Sequence, residues 1–285
     1  MKRSEDGPTR DLVSVVVTIK NEESNIGDLL DSLVVQESPI EVLVIDAAST
    51  DRSQDIVKGY MKDYPFIKLD IFDAQRGESR NRGIEIAKGK IVAFTDGDCI
   101  ANPFWIREIR KTLKDNEIVG GRTIAMGYEA FKNLGRVEVY HKGVDITYPS
   151  CNLAYRKHIL KEIGGFDPRF VTAEDVDMNF RAVDLGYKIV ENRNMVVYHK
   201  ERSTIVAFYK QAFWNGFGRK QLSMKQGSQW SRYSPSELLE RQIGFWWITR
   251  TAIGFLGYFS YLISHPRYKI KSKKFPSGRI HSILA

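Results

Sequence analysis

The sequence predicts an α/β fold, a doubly wound sheet followed by a helical extension, and three observations carry that prediction. Four apolar runs rich in β-branched residues recur in the first hundred residues, stretches of helical periodicity alternate with them, and beyond about residue 200 charge and patterning both change. VSVVVTI, Val13 to Ile19, is apolar at nearly every position, as a strand covered on both faces of a parallel sheet must be. Ile26, Leu29, Leu30, Leu33 and Val34 then fall on one helical face. EVLVID, Glu41 to Asp46, is a second buried strand, and STDRSQDIVKGYM offers Ser, Thr and Asp as helix caps before Ile56, Val57, Tyr60 and Met61. FIKLDIF is a third strand, followed by a Gly/Arg-rich turn and a short helix ending near Gly89. KIVAFTD is a fourth and ends in acidic residues.

Further along, a helix and a strand are expected between about Pro103 and Gly121, and a helical stretch from Met126 to Lys142. SCNLAYR, Ser150 to Arg156, reads as a strand followed by a helix to Gly164. AEDVDMNFRAVDLGYKIV reads as an acidic-capped helix closing at Gly186. Ser203 to Lys225 reads as a helix mixing aromatic and basic residues, and GSQWSRYSPSE as a loop. This divides the chain into an α/β domain over 1–200 and a helical region over 201–285.

The 285 residues are 42% apolar, 12% aromatic and 27% charged, which excludes a disordered, collagen-like or low-complexity chain. The net charge of +8 is unevenly placed. Residues 1–199 hold 28 Lys and Arg against 32 Asp and Glu, and residues 200–285 hold 15 against 3. Two cysteines, Cys99 and Cys151, are too few for a disulfide framework or a cysteine metal cluster, so a reducing compartment is expected. The polar start MKRSEDGPTRD and the eight-residue apolar run behind it read as a strand and not as a signal peptide.

Ile243 to Ile263 is a 21-residue apolar stretch with one charge, Arg250, and the tail after it has six basic residues and no acid. As a helix it would be about 31 Å long. A soluble core helix would have to be buried all round. A single span is long enough, but Arg232 and Arg241 before it and the basic tail after it would put one basic flank outside. A helix lying in the cytoplasmic leaflet keeps both flanks against anionic lipid with Trp246, Trp247, Tyr258 and Tyr261 at headgroup level, and this is the expected attachment. Nucleic acid is excluded as a partner, because the positive residues bracket a segment too long and too apolar for a groove-binding arm.

In a doubly wound sheet ligands bind beyond the carboxyl ends of the strands. The polar residues there should share one site: Thr18, Asn21 and Glu22, then Asp46, Ser49 and Asp51, then Asp96 and Asp98. The Asp96-Gly97-Asp98 pair at the end of an apolar strand is suited to a hard cation, Mg²⁺ or Mn²⁺, shared with phosphate oxygens.

VVVTIKNEE, IDAASTD, RGESRNRG and VAFTDGD, in this order and spacing, resemble the family 2 inverting glycosyltransferases of GT-A fold, over roughly Val13 to His199. That resemblance implies a nucleotide-sugar donor and a divalent cation. Thr18, Asn21 and Glu22 would lie along the nucleoside, Asp46, with Ser49 beside it, would accept hydrogen bonds from base or ribose, and Arg80 and Asn81 would hold the nucleotide side with Arg80 near the diphosphate. Asp96 and Asp98 would bind the ribose and, through the metal, both phosphates. Glu174-Asp175 resembles the family's acceptor-site pair, with Asp175 as the general base, and His199 would complete the metal or diphosphate site. Gln211 and Trp214 lie where many processive relatives carry Q-x-x-R-W, and Phe213 before the tryptophan argues against a processive polymerase. Ala47 replaces a second acid and Ser79 an alanine, and the former leaves uracil or guanine open as the base.

The expectation is a metal-dependent inverting glycosyltransferase at the cytoplasmic membrane face, acting on a glycan or polyprenyl-linked acceptor. Its rivals are a polyprenyl-phosphate glycosyltransferase, which needs no general base, and a catalytically silent membrane scaffold. A nucleotidyltransferase is disfavoured, because VVVTIKNEE has no glycine for a phosphate loop.

Overall fold

The computed structural model describes residues 10–127, 137–200, 204–228 and 244–264. In chain order the elements are β1 (Val13–Ile19), α1 (Ile26–Val34), β2 (Ile40–Asp46), α2 (Ser53–Asp63), β3 (Ile67–Ile71), α3 (Arg76–Ile86) and β4 (Ile91–Asp96). After them come β5 (Cys99–Ala101), α4 (Trp105–Thr112), β6 (Ile118–Met126), β7 (Tyr140–His141), β8 (Val144–Asp145), β9 (Leu153–Arg156) and α5 (Lys157–Glu162). The last are α6 (Glu174–Asp184), β10 (Ile189–Lys200), α7 (Ile205–Gln226) and α8 (Phe245–Ser264).

One mixed sheet of order β3-β2-β1-β4-β9-β6-β10-β5 carries the fold. The first four strands are parallel, as their uninterrupted apolar runs require, since both faces are covered. Val13, Val15 and Val17 of β1 pack with Ile26, Leu29 and Leu33 of α1, and Val16 points to the other layer with Phe94 and Phe166. Gln36, just past the end of α1, donates from its amide to the Ser32 carbonyl, satisfying an orphan of the last turn, and to the Asn102 carbonyl, tying that end to the chain after β5.

The second half departs from an all-parallel sheet. β9 runs antiparallel to both β4 and β6, and β5 antiparallel to β10. The helical expectation over Met126 to Lys142 is corrected in its described part: residues 140–145 form a two-stranded hairpin, and 128–136 lie outside the described residues. SCN (Ser150–Asn152) is a single 3₁₀ turn before β9.

α7 and α8 form a parallel pair. Phe208 meets Trp246, Tyr209 bonds Thr249, and Phe217 meets Tyr261, so the contacts advance together along both helices. The helices touch backbone to backbone: a Cβ on Gly216 would lie 1.8 Å from the Gly254 oxygen, and one on Gly257 1.9 Å from the Phe213 oxygen. On the other side of α8, Phe245, Ile248, Phe255, Leu256, Phe259, Leu262 and Ile263 are exposed at helical spacing. Burial all round is therefore not what this helix has. No helix among the described residues is long and apolar enough to cross a membrane, which corrects the spanning reading. Tyr261 is buried against Phe217 and does not face outward as a headgroup anchor would. Arg232, Arg241, most of the expected loop and the basic tail lie outside the described residues.

Candidate active site

The carboxyl ends of the parallel strands converge as the strand order requires. The loops after β1 and β2 are laced together: the Asn21 amide donates to Ser49 Oγ at 2.8 Å, Thr50 N donates to Asn21 Oδ1 at 2.8 Å, and Glu22 N donates to Ser53 Oγ at 2.8 Å. Asn21 (φ 57°) and Ala48 (φ 53°) take left-handed backbone that residues with a Cβ adopt only where the surroundings enforce it. Thr18 is half-buried at this rim. Asp46 is fully buried, its oxygens accepting from Ser49 N and Oγ and from Gln54 Nε2 at 2.7 Å. In this structure it builds the loop, and its carboxylate is engaged by protein donors where base or ribose contacts were expected.

At the end of β4, Gly97 lets the Asp96-Gly97-Asp98 turn press against the first loop, since a Cβ there would lie 2.8 Å from Ile19 Cγ2 and 3.1 Å from Glu22 Cγ. Burial, with Asp98 and Asp96 facing it, pushes the Glu22 carboxyl up despite the Asn25 amide it accepts. The antiparallel pairing of β10 with β5 sets His199 opposite Cys99, and this register carries His199 Nε2 to 3.3 Å from Asp98 Oδ1. Burial disfavours the imidazolium, but the Asp98 hydrogen bond and the neighbouring negative charges of Asp98 and Asp96 together outweigh it and raise the pKa to about 9. Asp98, Cys99 and His199 offer donor atoms within 4.8 Å of one another. Asp96 stands outside this group, although the sequence reading counted it a metal ligand.

Asp96 is held elsewhere. Arg80, 2% exposed on α3, donates from Nη2 to Asp96 Oδ1 at 2.8 Å and from Nη1 to Glu174 Oε1 at 2.6 Å. Burial opposes its charge, yet Asp96 and Glu174 raise its pKa above the ordinary arginine value, so the fork is permanently cationic. Burial pushes Asp96 up, and Arg80, Arg76 and His199 more than reverse it, leaving Asp96 low. Arg80 therefore joins two protein carboxylates in this structure, Asp96 at the strand end and Glu174 at the start of α6. The Asn81 carboxamide is likewise taken, donating to the Phe166 carbonyl and accepting from its amide, each at 2.8 Å. It fixes the Gly164-Gly165 turn; Gly165, at φ +66°, has no room for a Cβ beside Asn81 Oδ1.

Glu174 and Asp175 open α6 behind Ala173, which sits at φ 63°. Glu174 is buried on the Arg80 fork. Asp175 stays partly exposed, accepting from Ser150 N at 3.1 Å and from Val176 N at 2.8 Å. Burial first, and the Glu174 charge second, raise its carboxyl to about 6. A carboxylate of that basicity at a cleft wall accepts a proton near neutral pH more readily than an ordinary aspartate.

Two contributors escape a sequence reading. Arg76, exposed at the first turn of α3, lowers Asp96 through space and faces the acidic strand end; its place in RGESRNRG was visible, its direction was not. The Ser150 amide reaches Asp175 only because β9 enters the sheet antiparallel, which no local pattern announces. Gln211 and Trp214 are exposed on the first half of α7, the tryptophan ring against Phe213 and Phe217.

The model of glycosyl transferase family 2 matches residues 14–166, and that of glycosyl transferase family group 2 matches residues 132–270. Glycosyltransferase AglE of Haloferax volcanii is 30% identical over 210 residues, 68% of each chain. A dolichyl N-acetyl-alpha-D-glucosaminyl phosphate 3-beta-D-2,3-diacetamido-2,3-dideoxy-beta-D-glucuronosyltransferase of Methanococcus voltae is 25% identical over 75% of this chain and 74% of its own. Some other curated relatives are matched over about half of their own length. Among solved structures, S. aureus TarS 1-349 in complex with UDP-GlcNAc has a TM-score of 0.61 at 19% identity, covering 90% of this chain and 73% of that one. The mannosyltransferase PcManGT from Pyrobaculum calidifontis, in complex with GDP-Man and Mn²⁺, has a TM-score of 0.61 at 19% identity, covering 91% and 76%. At that identity the two structures speak for the fold, the family model spans more than half of the chain, and on these grounds together the chain belongs to glycosyl transferase family 2 and folds as a GT-A glycosyltransferase.

Proposed function

We propose that the chain moves a sugar from a UDP- or GDP-linked donor to a hydroxyl of a glycan or polyprenyl-linked acceptor, inverting the anomeric centre in one displacement. One observation carries this reading above the others: the buried Arg80 fork ties the strand-end carboxylate Asp96 to Glu174, so a donor site and a proton acceptor, Asp175, share one cleft. The acceptor oxygen attacks the anomeric carbon as the bond from that carbon to the diphosphate oxygen breaks. The acceptor proton passes to an Asp175 oxygen, and the nucleoside diphosphate leaves. Thr18, Asn21 and Glu22 line the nucleoside side, and Arg76, not Arg80, is the cation open to the phosphates. Most of the rate comes from positioning and from charge neutralisation at the leaving group.

The carboxylate of Asp98 and the imidazole of His199 fit a divalent cation, and the nitrogen donor favours Mn²⁺ over Mg²⁺, which keeps to oxygen. When bound, the ion supplies charge against the departing diphosphate. The PcManGT structure, in complex with GDP-Man and Mn²⁺, supports that reading. The Methanococcus voltae relative, named for a dolichyl-linked sugar phosphate, supports a lipid-linked acceptor that presents a hydroxyl. Such an acceptor needs a base, which the raised Asp175 suits better than it suits the rival that transfers to polyprenyl phosphate.

The cytoplasmic membrane face is the proposed location. The exposed apolar stripe of α8 lies parallel to its axis, as in a helix half-sunk in a leaflet, and the sequence that follows is basic without an acid. A thermal-shift screen of UDP- and GDP-sugars with Mn²⁺ and Mg²⁺ tests the donor: at least one pair should raise Tm, and no shift with any of them overturns the reading. Removing residues 243–285 should release the protein from membranes, and retention there would refute the attachment.

A further inference from the structure

The segment from Asp167 to Asp177 contains the Glu174-Asp175 pair, and the last turns of α7 touch it at five places. Lys225 Nζ lies 2.6 Å from Asp167 Oδ2 and 2.8 Å from Asp177 Oδ1, and it sits 5.2 Å from the centroid of the Phe170 ring. Gln226 Nε2 donates to Asp177 Oδ1 at 2.8 Å, and Gln221 Nε2 to the Arg169 carbonyl at 2.6 Å. Gly218 lies flat on Thr172, where a Cβ would come within 2.5 Å of Thr172 Cγ2 and 2.7 Å of its carbonyl oxygen. Asp177 is wholly buried and Asp167 nearly so, so these are not loose surface pairs. Burial pushes Asp167 up, but hydrogen bonds from Arg169 and Lys225 hold it far below the carboxylate range.

Between the two aspartates the chain passes through Ala173 at φ 63°, a left-handed conformation that persists in a residue with a Cβ only where its surroundings over-determine it. We propose that Lys225 is a positioning residue for glycosyl transfer: by pinning Asp167 and Asp177 it fixes both ends of the strained segment and thereby places the Asp175 carboxylate. This rests on Asp175 being the proton acceptor. α7 is then part of the catalytic machinery, and the boundary expected at residue 200 runs between a site and its brace.

The pairing also makes a clean test. Asp167 keeps Arg169 and Asp177 keeps Arg181 when Lys225 is removed, so neither carboxylate is left without a cation and Lys225→Met retains the fold. Hydrogen exchange is measured on the full chain as wild type, Lys225→Met and Lys225→Arg, alongside nucleoside diphosphate release from UDP-GlcNAc and GDP-mannose with Mn²⁺ and water as acceptor. In Lys225→Met, residues 167–177 should exchange at least about tenfold faster while 91–96 are unchanged, and kcat should fall roughly 10- to 100-fold with donor KM within about twofold. Lys225→Arg should restore most of both. Unchanged exchange over 167–177, or faster exchange with wild-type kcat, overturns the proposal. Asp175→Asn, run beside them, separates the two readings: undiminished kcat there refutes the base, whereas loss there with full activity in Lys225→Met refutes only the brace.

Discussion

At the end of β4 and at the start of α6 the chain sets out two acidic pairs, Asp96 with Asp98 and Glu174 with Asp175, and the fold divides both in the same way. One member of each pair, Asp96 or Glu174, is held by the Arg80 guanidinium. The other is left to the cleft. The divided members differ in what they meet: Asp98 faces an imidazole, while Asp175 faces backbone amides and the charge of its own neighbour. Two aspartates of one chain, Asp96 and Asp175, are shifted in opposite directions: Arg80, Arg76 and His199 bring Asp96 down, whereas at Asp175 burial and the Glu174 charge outweigh Arg80. Role here follows from the partner and not from the residue type.

Removing the divider should have the largest effect. Arg80→Met leaves the buried Glu174 carboxylate without its cation and the half-buried Asp96 without its own, and we predict a loss of about 3–5 kcal/mol in urea unfolding together with loss of transfer. A variant as stable as wild type would show that the fork does not hold the pairs. Next is Asp175→Asn, for which turnover should drop by about 10²–10⁴. The same change should stabilise the chain at pH 7, because a carboxyl whose folded pKa lies above its unfolded one destabilises the fold as pH rises through that interval. The gain should be on the order of 1–2 kcal/mol, read from Tm.

A milder probe is pH alone. The base works deprotonated, so kcat should fall about tenfold per unit below pH 6 and level off above it, and an acid limb near pH 4 would remove the contrast between Asp175 and an ordinary aspartate. Smallest is Arg76→Ala, expected to weaken donor binding by roughly tenfold at unchanged fold stability, as loss of one exposed charge-assisted contact does. Titration of UDP by calorimetry would measure it, and an unchanged Kd would return the phosphate role to another residue.

The donor half was legible because its strands are apolar on both faces and their ends are polar, so VSVVVTI, EVLVID and KIVAFTD reveal both sheet and cleft. Side-chain direction was not legible. Arg80 and Asn81 sit in the motif that draws attention to a nucleotide, yet their partners, Glu174 and Phe166, lie 94 and 85 residues away. Arg76 was passed over for the same reason, since exposure decides which arginine of RGESRNRG is available and spacing does not encode exposure. The reversed β9 depends on pairing with the distant strands β4 and β6, where local pattern carries little information, and the hairpin over 140–145 has strands of only two residues each, too short to show a period. In α8 the composition was read correctly as apolar, but which face α7 would cover became visible only through the glycines at 216, 254 and 257.

The reversal of β9 has a consequence for how such a site can change. Parallel strands deliver to the cleft the residues that follow them, so the donor side is written in the exits of β1, β2 and β4. β9 delivers what precedes it, and Ser150, which touches Asp175, is the last stop of the chain arriving from residues 137–149. A change in what precedes β9 alters the chain beside Asp175 without touching an exit of β1, β2 or β4. The two sides of the site are thereby open to separate revision, by selection or by an engineer.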